Sequence, residues 1–313
     1  MARALTQPDD AVEIPRCLAA TAVCWNRSVG RRWMECLPGL VTELAGEWAL
    51  ELGPPYPNGH CALVLRASRA GEALVLKVSC PDVETRPEPD ALRLWDGDGA
   101  VRLVAADERR RAMLLERLEP GTPLSDHPDR DEALVIACEL VRRLRRRPPP
   151  GHRFRDAAAV ARQVVSGLRR RWTAAGEPFD ERLVDAAVRA AKVLLWDGSS
   201  EPRVVVNRDL HLGNVLAAER EPWLVIDPKP FVGEPAFDGG HLLADALDRD
   251  VTLDRVQRAS VLIADGLGVT PDRLWSWALV RAVDFAVWAY EVGEDEPVGR
   301  LGLARSLTQL ASS

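Results

Sequence analysis

Apolar runs that end abruptly at polar side chains are the clearest pattern along this chain. Residues 204–206 form a β-branched run that leads into a polar segment, 207–214, and a second apolar run, 223–226, ends at Asp227. Short apolar runs bounded by turn residues predict buried strands. The pattern therefore predicts two buried strands, each of which leads directly into acidic or amide side chains.

The first third of the chain alternates between apolar and polar residues in a way that predicts an antiparallel sheet. A helix at 37–48 is predicted from helical spacing of apolar residues, and a turn at 53–59 joins the first two strands. The predicted strands are 48–52, 61–66, 73–78, 101–105 and 112–118.

After Pro120 the apolar residues recur mainly at helical spacing. The predicted helices are 131–147, 157–172, 181–195, 239–247, 253–267, 271–290 and 298–310. We therefore expect an α+β protein of two lobes, 1–118 with the sheet and 119–313 with the helices, joined by a hinge at 119–121. A chain of 313 residues is long enough for two cores.

The composition of the chain indicates which binding partners and which cellular compartment are expected. The net charge of -6 disfavours general binding to nucleic acids or anionic membranes. No apolar run approaches the length of a membrane span, and the first 15 residues lack the apolar region of a signal peptide. The six cysteines are scattered without a Cys-x-x-Cys pair, which favours neither a zinc site nor a disulfide framework. A reducing cytoplasm is the expected location.

The polar segment 207–214 holds Asp209 and Asn214 at the spacing Asp-x-x-x-x-Asn, and Asp227 closes the next strand. This layout is typical of a kinase catalytic centre, in which the first Asp orients an acceptor hydroxyl and the other two residues bind magnesium. The alternative is that all three are ordinary turn residues, since Asp and Asn favour turns. Two acids and one amide at this spacing favour the catalytic interpretation.

Lys77 is the one cation in an otherwise apolar strand, 73–78. Burying an unpaired ammonium is costly, so its charge needs a partner. Kinases pair such a lysine with nucleotide phosphates and with a helix glutamate. A solvated strand face is the alternative.

Several long blocks resemble one known family. These blocks are 92–103, 114–121, 214–224, 226–229 and 232–238, which closely resemble the streptomycin and hydroxyurea phosphotransferase branch of the aminoglycoside phosphotransferases. The resemblance implies a protein-kinase-like fold with ATP and Mg²⁺ as cofactors. It also implies an enzyme that phosphorylates a hydroxyl of a small molecule, an aminoglycoside antibiotic such as streptomycin, and so confers resistance.

The resemblance also implies roles for particular residues. Asp209 would be the catalytic residue, while Asn214 and Asp227 would bind the metal. Lys77 would bind the phosphates with Glu88 as its partner, or Glu84 in reserve. The remaining implied contacts are those of the main chain at Glu116 and Leu118, which would bind adenine.

His211 allows two interpretations, a hydrogen-bonding strut for the loop or a catalytic helper, and the strut is favoured because Asp209 already suits the base role. Two positions depart from the family pattern: Asn207 stands where relatives usually carry His, and Arg208 where they often carry Gly. We expect activity to survive, because Asn can still donate and accept hydrogen bonds.

The predicted substrate-binding residues are acidic residues of the second lobe. In the aminoglycoside kinases such a lobe receives a polycationic drug, so acids there are candidates for binding a cationic substrate. The alternative is that they are ordinary surface acids. The candidates are Asp238, Glu291, Glu294 and Asp295.

No long activation loop separates Asp227 from the block 235–238, which argues for a small-molecule substrate and against a protein one. Two other functions stay open. The first is a kinase of the same fold that acts on a hydroxyurea-like compound or a small metabolite. The second is a non-catalytic nucleotide-binding protein, suggested by Asn207 and by the lack of a glycine-rich phosphate loop.

Overall fold

The computed structural model describes residues 13–57, 59, 61–82, 85–196, 202–247 and 251–311, apart from the side chains of 22–27 and 245. Glu84, the reserve partner for Lys77, lies outside these residues. The chain forms two compact units. The first contains residues up to Arg86 and Leu103–Arg117, and the second contains Pro87–Arg102 and the chain from Leu118 onward.

The first unit is built on a five-stranded antiparallel sheet, as predicted. Its strand order is β1-β2-β3-β5-β4. The elements are helix α1 (Arg16–Glu47) and strands β1 (Glu51–Pro55), β2 (Ala62–Arg69), β3 (Glu72–Ser79), β4 (Leu103–Asp107) and β5 (Ala112–Glu116).

Helix α1 is much longer than the helix predicted at 37–48. Leu18, Trp33, Leu37, Val41 and Leu44 recur along one face, and all of them are buried against the sheet. Polar residues and cysteines between them hid this spacing in the first half of the helix. The predicted first strand is also displaced, because Trp48 follows the last residue of α1 and β1 begins at Glu51.

The second unit is mainly helical and includes the seven helices predicted after Pro120. The helices are α2 (Glu88–Trp95), α3 (Arg130–Leu144), α4 (Ala158–Ala174), α5 (Glu181–Trp196), α6 (Ala236–Ala246), α7 (Leu253–Leu267), α8 (Pro271–Val292) and α9 (Val298–Leu310). Within the part of the chain that the structure describes, every helix is either too short or too polar to cross a membrane.

Two small three-stranded sheets complete the second unit, with strand orders β10-β9-β6 and β7-β11-β8. Their strands are β6 (Pro120–Pro123), β7 (Arg155–Asp156), β8 (Val204–Asn207), β9 (Val215–Ala218), β10 (Trp223–Val225) and β11 (Pro230–Gly233). The apolar runs identified in the sequence became β8 and β10. The other four strands span two to four residues each, too few to show a period of two.

Candidate active site

Two pairs of strands bring the sequence-predicted catalytic segments together. Strand β8 pairs antiparallel with β11, with Asn207 opposite Pro230. Strand β9 pairs with β10, with Val215 opposite Val225. The loop 208–214 therefore begins and ends beside the segment 226–229, so the three residues of the kinase-like motif lie in one region.

Asn207 connects the segments of this region through hydrogen bonds. Its Oδ1 accepts hydrogen bonds from the main-chain N–H of Asp209 at 3.0 Å and of Lys229 at 2.9 Å. Its own main-chain N–H donates to Asp238 Oδ1 at 2.6 Å. One amide side chain thus joins the loop to the segment after Asp227 by accepting hydrogen bonds, as expected. The donor side of that expectation is not met, because Nδ2 is buried without a partner among the described residues.

Asp209 is paired with a lysine that sequence analysis did not select. Lys229 Nζ donates to Asp209 Oδ2 at 2.5 Å, and the two side chains are 21% and 25% exposed. Burial by itself raises the pKa of the Asp209 carboxyl, but the charge and hydrogen bond of Lys229, with smaller effects from His211 and Arg281, outweigh it and lower the pKa. Asp209 is therefore held as a carboxylate that a substrate can still reach.

Asn214 lies across the β9–β10 hairpin from Ile226, the residue that precedes Asp227. Asn214 Nδ2 donates to the carbonyl oxygen of Asp209 at 3.0 Å, and the N–H of Ile226 donates to the carbonyl of Asn214 at 2.9 Å. Because the amide nitrogen of Asn214 is used, its Oδ1 is the atom left to bind a ligand. Asp227 follows with φ of 48°, a left-handed conformation that is costly for a residue with a side chain.

These two residues fit a magnesium ion chemically. An amide oxygen and a carboxylate are hard oxygen donors, the type that Mg²⁺ prefers, and Mg²⁺ in kinases completes its shell with phosphate oxygens and water. The strained backbone at Asp227 is consistent with a conformation kept for function.

His211 is half-buried at the start of the turn Leu212–Asn214. Its ring makes no hydrogen bond within the described residues, so the strut expected of it has no bonded partner there. The ring packs instead against Gly213, where a Cβ atom would approach His211 Nδ1 to 3.0 Å. Glycine at this position leaves room for the imidazole.

Asp238, the first choice for substrate contact, is only 2% exposed. Its carboxylate lies under the loop and accepts from the Asn207 N–H. Burial raises the pKa of Asp238 to about 7, although that hydrogen bond and the charge of Arg145 oppose the change. This placement corrects the sequence expectation, because a side chain so enclosed supports the loop and has little surface to offer a substrate.

The other three expected substrate residues lie at or beyond the C-terminal end of α8. Glu291 is paired with Arg171 at 2.7 Å, and the same guanidinium binds Asp284 at 2.6 Å. Glu294 and Asp295 are exposed just after the helix. Arg281 marks the point where α8 meets the catalytic loop, because its Nη2 donates to the Arg208 carbonyl. Glu291 is ten residues further along α8, which corresponds to about 15 Å of helix.

The expected nucleotide-binding residues are divided between the two units. In the first unit, Lys77 is 6% exposed on β3, and Glu116 is the last residue of β5, paired with Leu74. In the second unit, Glu88 is 1% exposed at the first residue of α2, as expected, and Leu118 is buried.

Lys229 is the clearest residue missed from the sequence. It is a lone lysine between Asp227 and the apolar strand β11. The argument that selected Lys77, a cation that needs a partner in apolar surroundings, would also have selected Lys229.

Comparison with known proteins identifies the family of the chain. The sequence model of the aminoglycoside/hydroxyurea antibiotic resistance kinase family matches residues 47–293. A hydroxyurea phosphotransferase of Kitasatospora aureofaciens is 37% identical over 288 residues, covering 90% of this chain and 82% of that protein. A streptomycin 6-kinase of Streptomyces glaucescens is 36% identical, covering 90% of this chain and 92% of that protein.

Solved structures show the same fold. An aminoglycoside phosphotransferase, APH(4)-Ia, in a ternary complex with ADP and hygromycin B superposes with a TM-score of 0.60 at 13% identity, covering 87% of this chain and 99% of that one. The protein-kinase-like fold expected from the sequence is thereby confirmed. Together with the sequence matches, it shows that the chain is a small-molecule phosphotransferase and belongs to the aminoglycoside/hydroxyurea antibiotic resistance kinase family.

Proposed function

We propose that the protein transfers the γ-phosphoryl group of ATP, with Mg²⁺, to a hydroxyl of a small molecule, for which an aminoglycoside such as streptomycin is the first candidate. The observation that carries this proposal is the arrangement of Asp209, Lys229 and Asn214 beside Asp227. It provides an accessible carboxylate on the loop 208–214 and two oxygen donors for a metal, one on that loop and one on the neighbouring segment 226–229.

Asp209 would act on the acceptor. Its carboxylate accepts a hydrogen bond from the acceptor hydroxyl and orients that oxygen toward the γ-phosphorus. As the new O–P bond forms and the bond to the β-phosphate oxygen breaks, the hydroxyl proton passes to Asp209 and ADP leaves. Because phosphoryl transfer needs little covalent assistance, orientation and charge are most of what the residues must provide.

Lys229 would hold Asp209 in place during this step. Its contact at 2.5 Å fixes one carboxylate oxygen, Oδ2, and the other oxygen can then face the acceptor. The side-chain Oδ1 of Asn207 accepts from the main-chain N–H groups of both residues and so fixes them relative to each other.

Asn214 and Asp227 would hold magnesium, which supplies positive charge to the nucleotide phosphates. The ADP in the ternary complex of the aminoglycoside phosphotransferase supports nucleotide use by this fold. Lys77, with Glu88 as the proposed partner and the main chain of Glu116 and Leu118 at adenine, completes the proposed nucleotide site.

The relatives support two acceptors almost equally, since the hydroxyurea enzyme is 37% identical and the streptomycin enzyme 36%. The ion pairs of Asp284 and Glu291 with Arg171 reduce the acidity expected of a site for a polycation. Glu294 and Asp295 keep exposed carboxylates and are the remaining candidates for contact with a cationic drug. Hydroxyurea-like compounds and small metabolites are therefore kept as alternative acceptors.

The test is coupled ATP turnover of the full chain with Mg²⁺ and one acceptor at a time: streptomycin, hydroxyurea, or a neutral polyol. Turnover that depends on streptomycin and yields the phosphorylated drug supports the proposed acceptor. Turnover with another acceptor alone would support the proposed reaction but show that streptomycin is not the substrate. Nucleotide binding without transfer to any acceptor would favour the non-catalytic alternative.

The proposed setting is the cytoplasm, where ATP is available. The described cysteines with free thiols, Cys17, Cys36, Cys61, Cys80 and Cys138, suit a reducing compartment.

A further inference from the structure

Arg281 and His241 are basic residues near the catalytic loop, and each has a buried nitrogen atom without a hydrogen-bond partner among the described residues. Arg281 Nη2 donates to the carbonyl oxygen of Arg208 at 3.0 Å, which is the only hydrogen bond of this guanidinium within the described residues. Its Nε is buried without a partner in the same part of the chain. His241 Nε2 is likewise buried without a described partner.

Close packing of α6 on α8 brings these two residues into one region. A Cβ atom at Gly240 would lie 2.9 Å from the main-chain carbon of Trp277, so the two helix backbones almost touch there. His241 is the next residue on α6, and Arg281 is one turn beyond Trp277 on α8. The guanidinium of Arg281 lies 5.8 Å from the ring centroid of Phe237.

The electrostatic surroundings of the pair are positive. Loss of hydration and then the charge of Arg208 lower the pKa of Arg281, although Asp284 opposes them. Loss of hydration and then the charge of Arg281 lower the pKa of His241, with Arg300 adding to the effect.

The acids nearest this region are already engaged by other cations. Asp284 binds Arg171 at 2.6 Å, and Asp209 binds Lys229 at 2.5 Å. Arg281 thus has no carboxylate among the described residues, although a poorly hydrated cation is strongly stabilised by a bound anion. An anionic ligand would supply what the protein does not.

We infer that Arg281 and His241 form a binding site for an oxyanion, a phosphate or carboxylate group, beside the catalytic loop. The planar guanidinium donates several hydrogen bonds in a geometry that matches such groups, and an imidazole N–H can add another. The Arg208 carbonyl accepts from Nη2, and the other N–H groups of this guanidinium make no hydrogen bond to the described residues.

This inference rests on the proposed function in one respect, the identity of the anion. In a kinase the group at this site has two sources, the terminal phosphate of the nucleotide or an acidic substituent of the acceptor. The shared chemistry is that of a tetrahedral or planar oxyanion close to the reacting hydroxyl.

The first test uses sulfate, a stable oxyanion, with the full-length protein and isothermal titration calorimetry. We expect Arg281→Met to weaken sulfate binding about 10- to 100-fold, since charged hydrogen bonds contribute about 1.5–3 kcal/mol. Arg281→Lys should weaken it less. Arg305→Met removes an exposed arginine of α9 and is the matched control, with unchanged binding expected. Equal binding by native protein and Arg281→Met, or no binding by native protein, overturns the inference.

A second test needs no variant and therefore does not depend on correct folding of Arg281→Met. Phenylglyoxal modifies arginines, and peptide mapping reports each site. Sulfate should protect Arg281 in the native protein and leave the modification of Arg305 unchanged. Equal modification of Arg281 with and without sulfate contradicts the inference.

Repeating the titration with Mg²⁺ and a non-hydrolysable ATP analogue separates the two sources. If the analogue displaces sulfate, and Arg281→Met weakens the analogue but not ADP, the site takes the terminal phosphate. If sulfate still binds, and Arg281→Met raises KM for an acidic acceptor but not for ATP, the site takes the acceptor's acid group. Sulfate binding without any phosphoryl transfer would refute only the proposed function, and transfer without sulfate binding would refute only this site.

Discussion

Acidic side chains occupy two settings in the second unit, the loop that follows β8 and the C-terminal half of α8. Around the loop, Asp209 and Asp238 each make one short contact, with Lys229 at 2.5 Å and with the Asn207 N–H at 2.6 Å. Along α8, Asp284 and Glu291 share one guanidinium, that of Arg171. The acids have polar partners in both settings, but the effect of the partner differs between them.

Around the loop, pairing fixes where a carboxylate lies, and burial and pairing together decide whether it is ionised. On α8, the pairing mainly neutralises charge at a surface that water also reaches, where such pairs contribute little. A count of acids along the helix therefore overestimates how acidic the site is. Replacing Asp209 should therefore affect catalysis, whereas replacing Asp284 or Glu291 should affect only stability.

The largest expected effect is at Asp227. Replacing this proposed metal ligand in Asp227→Ala should lower kcat/KM about 10³-fold or more, since metal stabilisation of phosphoryl transfer is worth several kcal/mol. Mn²⁺ binding, followed by its electron paramagnetic resonance signal in the presence of nucleotide, should weaken as well. Asp284→Ala is the matched acid on α8 and should keep near-native turnover. Native turnover in Asp227→Ala would remove this residue from the catalytic site.

A smaller loss is expected at Lys229. Lys229→Met removes a charged hydrogen bond to Asp209, so we expect kcat to fall about 10- to 100-fold with little change in KM for ATP. Lys229→Arg should recover part of the loss because it restores the charge. Steady-state kinetics with the preferred acceptor measure both effects. A variant that changes only KM would show that Lys229 binds substrate and does not position Asp209.

Asp238 should make stability depend on pH. Burial raises its pKa from 3.8 to about 7, so the folded protein keeps a proton that the unfolded chain loses above about pH 4. Stability should therefore fall as pH rises from about 4 to 7 and level off above, by up to about 4 kcal/mol in total.

The variant Asp238→Asn keeps an oxygen for the Asn207 N–H but cannot ionise, so this contribution should vanish. Urea unfolding at several pH values measures it, and Glu291→Gln, the matched change on α8, should leave the pH dependence as in the native protein. An unaltered slope in Asp238→Asn would contradict the assignment.

The smallest effect is expected on α8 itself. Arg171→Met breaks both ion pairs of α4 with α8, which are partly exposed, and should lower the free energy of unfolding by about 1 kcal/mol or less. Turnover should stay close to native. A loss of turnover comparable to that of Lys229→Met would show that the acids of α8 belong to the active site, and the contrast between the two settings would fail.

Much of the fold follows from periodicity alone. The strands around Lys77 and the helices after Pro120 have regular spacing over at least six residues, and the structure contains them. The early part of α1 was missed because polar residues lie between its buried positions. Strands β6, β7, β9 and β11 were missed because two to four residues are too few to reveal a pattern.

The site divides in a similar way. Asp209, Asn214 and Asp227 are recognisable because their spacing along the chain reflects their chemistry. Lys229 and Arg281 depend on contacts between segments distant in sequence, namely the Lys229 contact with Asp209 and the Arg281 contact with the Arg208 carbonyl. Asp238 was misjudged because a carboxylate in an apolar helix can be either exposed or buried, and only packing decides between them.

The most direct test of the central claim is single-turnover transfer by Asp209→Asn. With Mg²⁺ and labelled ATP, native protein should move the labelled phosphoryl group to the acceptor. The variant should bind ATP as tightly as native protein but transfer about 10²- to 10⁴-fold more slowly, the range typical for loss of a general base. Transfer at the native rate by Asp209→Asn would contradict the claim that the loop 208–214 is the catalytic centre.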